Sequence, residues 1–474
     1  MDSKNSLRKN SLGLWTIVFF VVAAASPLTG VVGALPLNFA FGNGAGVPGS
    51  FIVTAILLIL FSFGFVAMSK HIVNAGAFYT YIVQGLGVSS GISGLSVAVI
   101  TYLAMQISVT ALFGLFSSLL IKSYFHIDLP WWLYALVMQV VVMLLGIARV
   151  EIGGKILGLL MILEVAIILV IDISIFTHPI EIEFSSFQPS VIFTQPFGIS
   201  MIFAVASFIG FEAAAIYSEE CIDSKKVISK ATFIAVILIA GFFILTSWAF
   251  VLYSTPTQVA TIAMNDPENF VYNIATNVLG KWSTDFMALL LVTSLFAATQ
   301  AFHNSLSRYI YTISRDGLFW SKLSETHPRY QTPYIASFVQ GAFLILLIIL
   351  FAIIQLDPIV DIFAWCSALG SMSILVLQMA VSVAVICFFI KNKNLPVSFW
   401  SKLLAPAISS IGMLCVLYLV IAHLDILSGS NSPAIYSLPI SLLLIIILAF
   451  LYGLMLKHKN ASLYKKISNL VKTI

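Results

Sequence analysis

Residues 26–30, Ser26-Pro27-Leu28-Thr29-Gly30, interrupt an apolar run that begins near residue 14. Residues 207–212, Ser207-Phe208-Ile209-Gly210-Phe211-Glu212, interrupt another that begins near Pro196. Each interruption falls about twelve residues into its run, and counting apolar segments puts the two runs five apart. Paired broken helices at equal depth are the mark of an inverted repeat, in which the breaks form a site near the bilayer midplane. In hydrocarbon, the N–H and C=O groups freed by a break are tolerated only where they line a cavity. The start of a half-helix offers amides and the positive end of the dipole, which suits a carboxylate. The facing carbonyls suit an ammonium or a cation. One pair of breaks can thus hold both ends of a zwitterion, and glycine at Gly30 and Gly210 lets a ligand approach the backbone closely.

Composition sets the surroundings. Of 474 residues, 60% are hydrophobic and 9% charged, with a net charge of +4. A soluble domain carries about 25% charged residues, so a soluble enzyme is excluded and a polytopic membrane protein is expected. The small positive excess gives no reason to expect nucleic acid as a partner. Reading charges and Pro/Gly/Asn clusters as breaks predicts twelve spans, near 14–40, 50–69, 91–121, 131–148, 155–177, 196–217, 230–253, 284–312, 333–356, 359–390, 400–424 and 434–456. The first is read as an uncleaved helix and not a signal peptide.

This divides the chain into a tail (1–13), a first repeat of helices one to five (14–177), a second repeat of helices six to ten (196–390), two further helices (400–456) and a second tail (457–474). With the N-terminus inside, 21 of the 23 Lys and Arg residues fall on the inner side, including Lys4, Arg149, Lys155 and Lys472. Only Lys122 and Lys281 fall outside. One missed helix would invert every later loop, so this asymmetry supports cytoplasmic termini and a cell (inner) membrane location. The four cysteines show no metal spacing and read as small buried hydrophobes.

Three acids fall within spans: Glu164, Asp172 and Glu212. Intramembrane acids are functional candidates by default. Asp172 lies near the outer end of its helix and is expected to reach the interface. Glu164 lies about nine residues past Lys155, hence roughly 13.5 Å deep, in a helix otherwise apolar. A charge there costs about 2.5–3.5 kcal/mol, which makes Glu164 a candidate to load and release a proton. Glu212 either attracts a substrate amine or holds its break together. Tyr102, Thr299 and Trp365 are further polar groups at membrane depth, each equally suited to bonding between helices.

The chain resembles the amino acid–polyamine–organocation (APC) permeases, including bacterial amino acid permeases, over residues 10–456. Three stretches carry the likeness. Ser26–Gly30 takes the place of the glycine-containing break in helix one, although the family often has a richer glycine run there. Ser207–Glu212 followed by Tyr217-Ser218-Glu219-Glu220 is similar to the helix-six motif. Ser314-Arg315-Asp316-Gly317 through His327–Pro333 is similar to the loop after helix eight. The Asn38–Pro48 and Asn74–Tyr79 segments look like one bacterial branch.

The resemblance implies an all-α protein of twelve transmembrane helices, a 5+5 inverted repeat with broken helices one and six plus two C-terminal helices. It implies a secondary transporter of amino acids or polyamine-like amines, by proton symport or exchange, with no cofactor and no enzymatic activity. The alternatives are a sodium-coupled carrier of the same fold and, more remotely, an uncoupled channel or receptor. By position, Leu28, Thr29 and Gly30 would take the carboxylate, Ser207, Phe208 and Ile209 would supply carbonyls and a gate, and Pro27 and Gly210 would belong to the same substrate site. Glu212 would lie beside the site. Glu164 would take the place that a sodium ion or a lysine holds in relatives, so that Glu164 and Glu212 are the proton-coupling candidates.

Overall fold

The computed structural model describes residues 6–148, 150–179, 182–195, 197–428 and 433–469. Lys4, Arg149, Pro196 and Lys472, used above, lie outside the described residues. Long apolar helices dominate: α1 (Leu14–Phe41), α2 (Gly44–Ser69), α3 (Val88–Phe125), α4 (Trp131–Ile147), α5 (Val150–Thr177), α6 (Phe197–Tyr217), α7 (Ser224–Ser254), α8 (Lys281–Asp316), α9 (Tyr334–Ile353), α10 (Pro358–Lys391), α11 (Trp400–Ala422) and α12 (Pro433–Lys459). Eleven are long and apolar enough to cross a membrane. Among the described residues α4 is apolar but only 17 residues long, so the expected twelve become eleven and this shorter helix.

Helices α3 and α8 have 38 and 36 residues and outrun the expected 91–121 and 284–312. At 1.5 Å per residue they reach about 57 and 54 Å, beyond a bilayer of about 40–45 Å. Their end turns carry charged side chains, Lys122 on α3 and Lys281 and Arg315 on α8. Gly317, at φ +95°, ends α8, with its amide on Ser314 and the Leu318 amide on Ile313. That left-handed glycine closure is cheap only without a Cβ.

Between α7 and α8 lie two short helices, Val259–Asn265 and Phe270–Leu279. Both are packed through buried apolar residues such as Val259, Phe270 and Ile274. On the basic face, Ala77–Leu86 forms a helix between α2 and α3. It opens on an Asn74 turn, in which the Asn74 side-chain oxygen accepts from the Gly76 amide at 2.8 Å and the Thr80 hydroxyl at 3.1 Å.

The centre of the bundle is α1 and α6: α1 packs against α5, α7 and α8, and α6 against α2, α7 and α11. Gly158 of α5 lies so close to Phe19 of α1 that a Cβ would come within 2.8 Å of the ring. At the outer ends, the Ser200 hydroxyl lies 2.7 and 2.6 Å from the side-chain oxygens of Asn38 and Asn43, fastening α6 to α1. These polar groups come from the Asn38–Pro48 segment and serve as a structural bracket.

Candidate functional site: two facing breaks and a buried carboxyl

The α1 break is narrower than the five-residue interruption in the sequence. Only Ser26 leaves helical geometry, at φ +48° and ψ +67°. Pro27–Thr29 already form a helical turn, followed by a wider π turn over Gly30–Ala34. Proline has no N–H to lose at a helix start, so Pro27 is suited to restart the helix. The Gly30 amide donates to the Ser26 carbonyl at 3.1 Å, which leaves Leu28 and Thr29 as the amides ahead of that first closing bond. Gly30 also answers a packing need, because a Cβ there would lie 2.6 Å from the Phe243 ring of α7.

The α6 break runs from Ser207 to Gly210. Gly210 sits at φ +108°, and a Cβ on it would meet Ala24 of α1 at 2.7 Å. The two breaks therefore touch. The Gly210 amide donates to Glu212 and the Phe211 amide to the Phe208 carbonyl. Both pass over Ser207, whose carbonyl stays outside the backbone bonds of the turn.

Glu212 is almost completely buried. Its Oε2 accepts from the Gly210 amide at 3.1 Å, and its Oε1 accepts from the Tyr102 hydroxyl at 3.2 Å. The carboxyl thus ties its own break together and ties it to α3. Of the two roles left open by the sequence, this geometry favours holding the break. Phe208 and Ile209 are buried beside it.

Glu164 of α5 is 2% exposed, and its Oε1 has no hydrogen-bond partner. The carboxyl lies beside Ser294 of α8. The Ser294 hydroxyl is 2.8 Å from that of Ser26, and Ser26 is 2.8 Å from the Thr29 hydroxyl. A line of oxygens runs from Glu164 to the α1 break.

Other expected residues are arranged differently. Thr299 is buried and donates to the Leu295 carbonyl of its own helix. Trp365 stays half-buried on α10. Among the described residues, no hydrogen bond joins either one to the breaks. Asp172 does not reach the interface. It is 2% exposed and accepts from Thr246 of α7 at 2.7 Å, because its face of α5 turns inward.

Two further polar groupings escaped the sequence reading. The first closes the basic face. Glu220 pairs with Arg308 of α8, whose guanidinium also lies 4.6 Å from the Tyr217 ring centre. Tyr217 stacks on Phe20 of α1 at 5.1 Å. Glu219 pairs with Arg315 at 2.7 and 2.8 Å and accepts from the Ala75 amide at 3.0 Å. Burial opposes the charge on Glu219, but Arg315 and that amide outweigh it and hold the carboxyl below its ordinary range. The Ser11 and Leu12 amides donate to the Glu220 carbonyl. The acidic pair after α6 and the arginines of α8 thus form one latch. Beside it, burial pushes the Cys221 thiol up to about 12, consistent with an inert buried cysteine.

The second grouping lies between α3, α8 and α9. His303 Nδ1 is 3.3 Å from Gln106 Nε2, and His303 Nε2 is 2.8 Å from the Ser337 hydroxyl. Gln340 donates to Gln106 at 2.6 Å and accepts from Ser307 at 2.7 Å.

Two broken helices meeting inside an all-helical bundle, with an acid on a third helix beside them, define a transporter-type membrane protein. A family profile described as "Amino acid permease" matches residues 12–456, and the chain belongs to that family. The low-affinity putrescine importer PlaP of Escherichia coli (strain K12) is 25% identical over 366 residues, 73% of this chain and 76% of that protein. The branched-chain amino acid permease BcaP of Bacillus subtilis (strain 168) is 24% identical over 411 residues, 80% and 81% of the two chains. The crystal structure of MhsT in complex with L-phenylalanine superposes with a TM-score of 0.59 at 14% identity, covering 87% of this chain and all of that one. It shares the fold.

Proposed function

We propose that this chain carries an amino acid or a related amine across the cell membrane by alternating access, driven by protons. Its termini are cytoplasmic in this reading, and helices one to five and six to ten act as inverted halves that rock about the two breaks. The substrate carboxylate faces the Leu28 and Thr29 amides at the positive end of the restarted helix. The amine faces the Ser207 carbonyl across Gly210. The names of the relatives, a putrescine importer and a branched-chain amino acid permease, support a small amine-bearing substrate.

The observation that carries the proton reading is Glu164. Its carboxyl has one unpartnered oxygen and is buried beside the α1 break, and an acid within a membrane span is a functional candidate by default. Proton loss there changes the charge next to the Ser26–Ser294 contact, which joins α1 to α8.

A sodium-coupled carrier is the second reading. It rests on the same oxygens, since Ser26, Ser294 and Glu164 would suit a small hard cation. Uptake into proteoliposomes under an imposed pH gradient, and separately under a sodium gradient, tests both. The proton reading expects accumulation with the pH gradient alone, and expects Glu164→Gln to lose accumulation while keeping substrate exchange. Accumulation that needs sodium and ignores the pH gradient overturns it. Flux that never exceeds equilibrium points to an uncoupled channel.

A further inference from the structure

A cavity of about 330 Å³ lies between α3, α10 and α12, and neither α1 nor α6 contributes to its lining. Val97 of α3, Leu377 and Ala380 of α10, and Ile447 and Phe450 of α12 form its walls, with Leu86 of the Ala77–Leu86 helix among the lining residues. The surface they present is almost entirely apolar. Helix α12 is fastened to α3 on one side: Gly453 sits so close to Ser89 that a Cβ would meet its Cα at 2.6 Å, and the Ser93 hydroxyl donates to the Ile446 carbonyl at 3.0 Å. The cavity is the gap left between α12 and α10.

The cleft is open on one side and is not an enclosed void. Lined by aliphatic and aromatic groups at membrane depth, it repels water and calls for an apolar occupant. Its depth says which. Val97 is nine residues from the start of α3, and Phe450 is nine from the end of α12. Both are about 13.5 Å from the basic face, within one leaflet of a hydrocarbon core about 30 Å thick.

The basic face supplies charge at the foot of the cavity. Lys391 is exposed and donates to the Gly85 carbonyl at 2.7 Å, beside Leu86. Lys457 and Lys459 are exposed at the end of α12, within two turns of Gly453. Amines at headgroup level attract acidic lipids.

We propose that this cavity is a binding site for an anionic phospholipid of the surrounding membrane. One acyl chain fills the gap between α10 and α12, and the phosphate rests on Lys391 and Lys457. Native mass spectrometry of the delipidated full chain, titrated with phosphatidylglycerol and with phosphatidylcholine of identical acyl chains, tests it. The wild type retains one phosphatidylglycerol at least tenfold more tightly than phosphatidylcholine. Ala380→Phe fills the gap and weakens retention of both lipids. Lys391→Gln with Lys457→Gln abolishes the preference but keeps chain binding.

Equal retention of the two lipids by the wild type, or unchanged binding by Ala380→Phe, overturns the proposal. So does tighter retention of a free fatty acid than of phosphatidylglycerol. Should Ala380→Phe fail to fold, a phosphatidylglycerol carrying a photoreactive group on its acyl chain is used on the wild type. Crosslinks to α3, α10 or α12 near Val97, Ala380 or Phe450 support the site, and crosslinks confined to other helices overturn it.

Discussion

Arg308 and Glu220 form a two-point ion pair, Nε to Oε1 at 2.6 Å and Nη2 to Oε2 at 3.0 Å, with side chains only 1% and 3% exposed. A buried pair is weak evidence of net stability, but removing one partner strands the other charge, at about 3–5 kcal/mol. This pair stands directly under the Phe20–Tyr217 stack, so its loss weakens the closed basic face in particular. Glu220→Gln is expected to lower the melting temperature and to speed maleimide labelling of Ala25→Cys from the basic side. Adding Arg308→Met removes the stranded charge and restores most of the melting temperature. Labelling of Ala25→Cys unaffected by Glu220→Gln would show that the pair does not close this face.

Glu212 accepts one bond from its own break and one from α3. A glutamine can point its oxygen at the Gly210 amide and donate its NH₂ to the Tyr102 hydroxyl oxygen, so both contacts survive and only the charge is lost. Glu212→Gln is therefore expected to keep the break folded, whereas Glu212→Ala, which loses both bonds, is expected to lose binding and transport at every pH. Tyr102→Phe removes a single bond, about 0.5–1.5 kcal/mol, and should keep weakened transport. Full uptake by Glu212→Gln across the pH range would exclude a role for its charge, and full uptake by Glu212→Ala would exclude this tie.

Gly30 and Gly210 make separable demands. Gly210 combines a positive φ with Ala24 at 2.7 Å, so alanine meets a left-handed penalty of about 1–2 kcal/mol and a collision with backbone-anchored atoms. At Gly30 the backbone is ordinary and the obstacle is the end of one ring. Gly30→Ala should lose ligand binding, measured by calorimetry, and Phe243→Leu in the same chain should recover much of it. Gly210→Ala should not be rescued by shortening any single side chain. No recovery of Gly30→Ala by Phe243→Leu would mean that the glycine serves the ligand alone.

The two breaks were legible because they are local. Proline and glycine write their effect into a few residues of an otherwise apolar run. Glu164 was legible for the same reason, as one acid among leucines and isoleucines. Asp172 was misread because sequence position gives depth along a helix but not which way the residue faces. Here the face turns toward Thr246, 74 residues away. The latch and the His303 network were missed for want of pairing: Glu220 and Arg308 are 88 residues apart, and Gln106 and His303 are 197 apart. Neither partner carries a local sign of the other. Thr299 shows the converse, a hydroxyl that looked available and is used by its own helix.

Glu219 sets the pH range over which the latch holds. Arg315 and the Ala75 amide keep its carboxyl below the ordinary value of 4.5. A carboxyl lowered by folding contributes its full stability above the unfolded value, and the contribution is lost as pH falls through the lower folded value. The contact with Arg315 is thus intact from about pH 8 down to about pH 5, the range in which a proton-driven carrier works. Acid activation of uptake in that range must come from another group. Glu219→Gln is expected to lower the melting temperature by a constant amount across these pH values. The gap to wild type should close only below about pH 4, where the wild-type carboxyl also begins to protonate. Melting curves for both proteins at stepped pH decide it. A gap that has already vanished at pH 6 would show that Glu219 titrates in the working range, and the latch would then itself be a pH sensor.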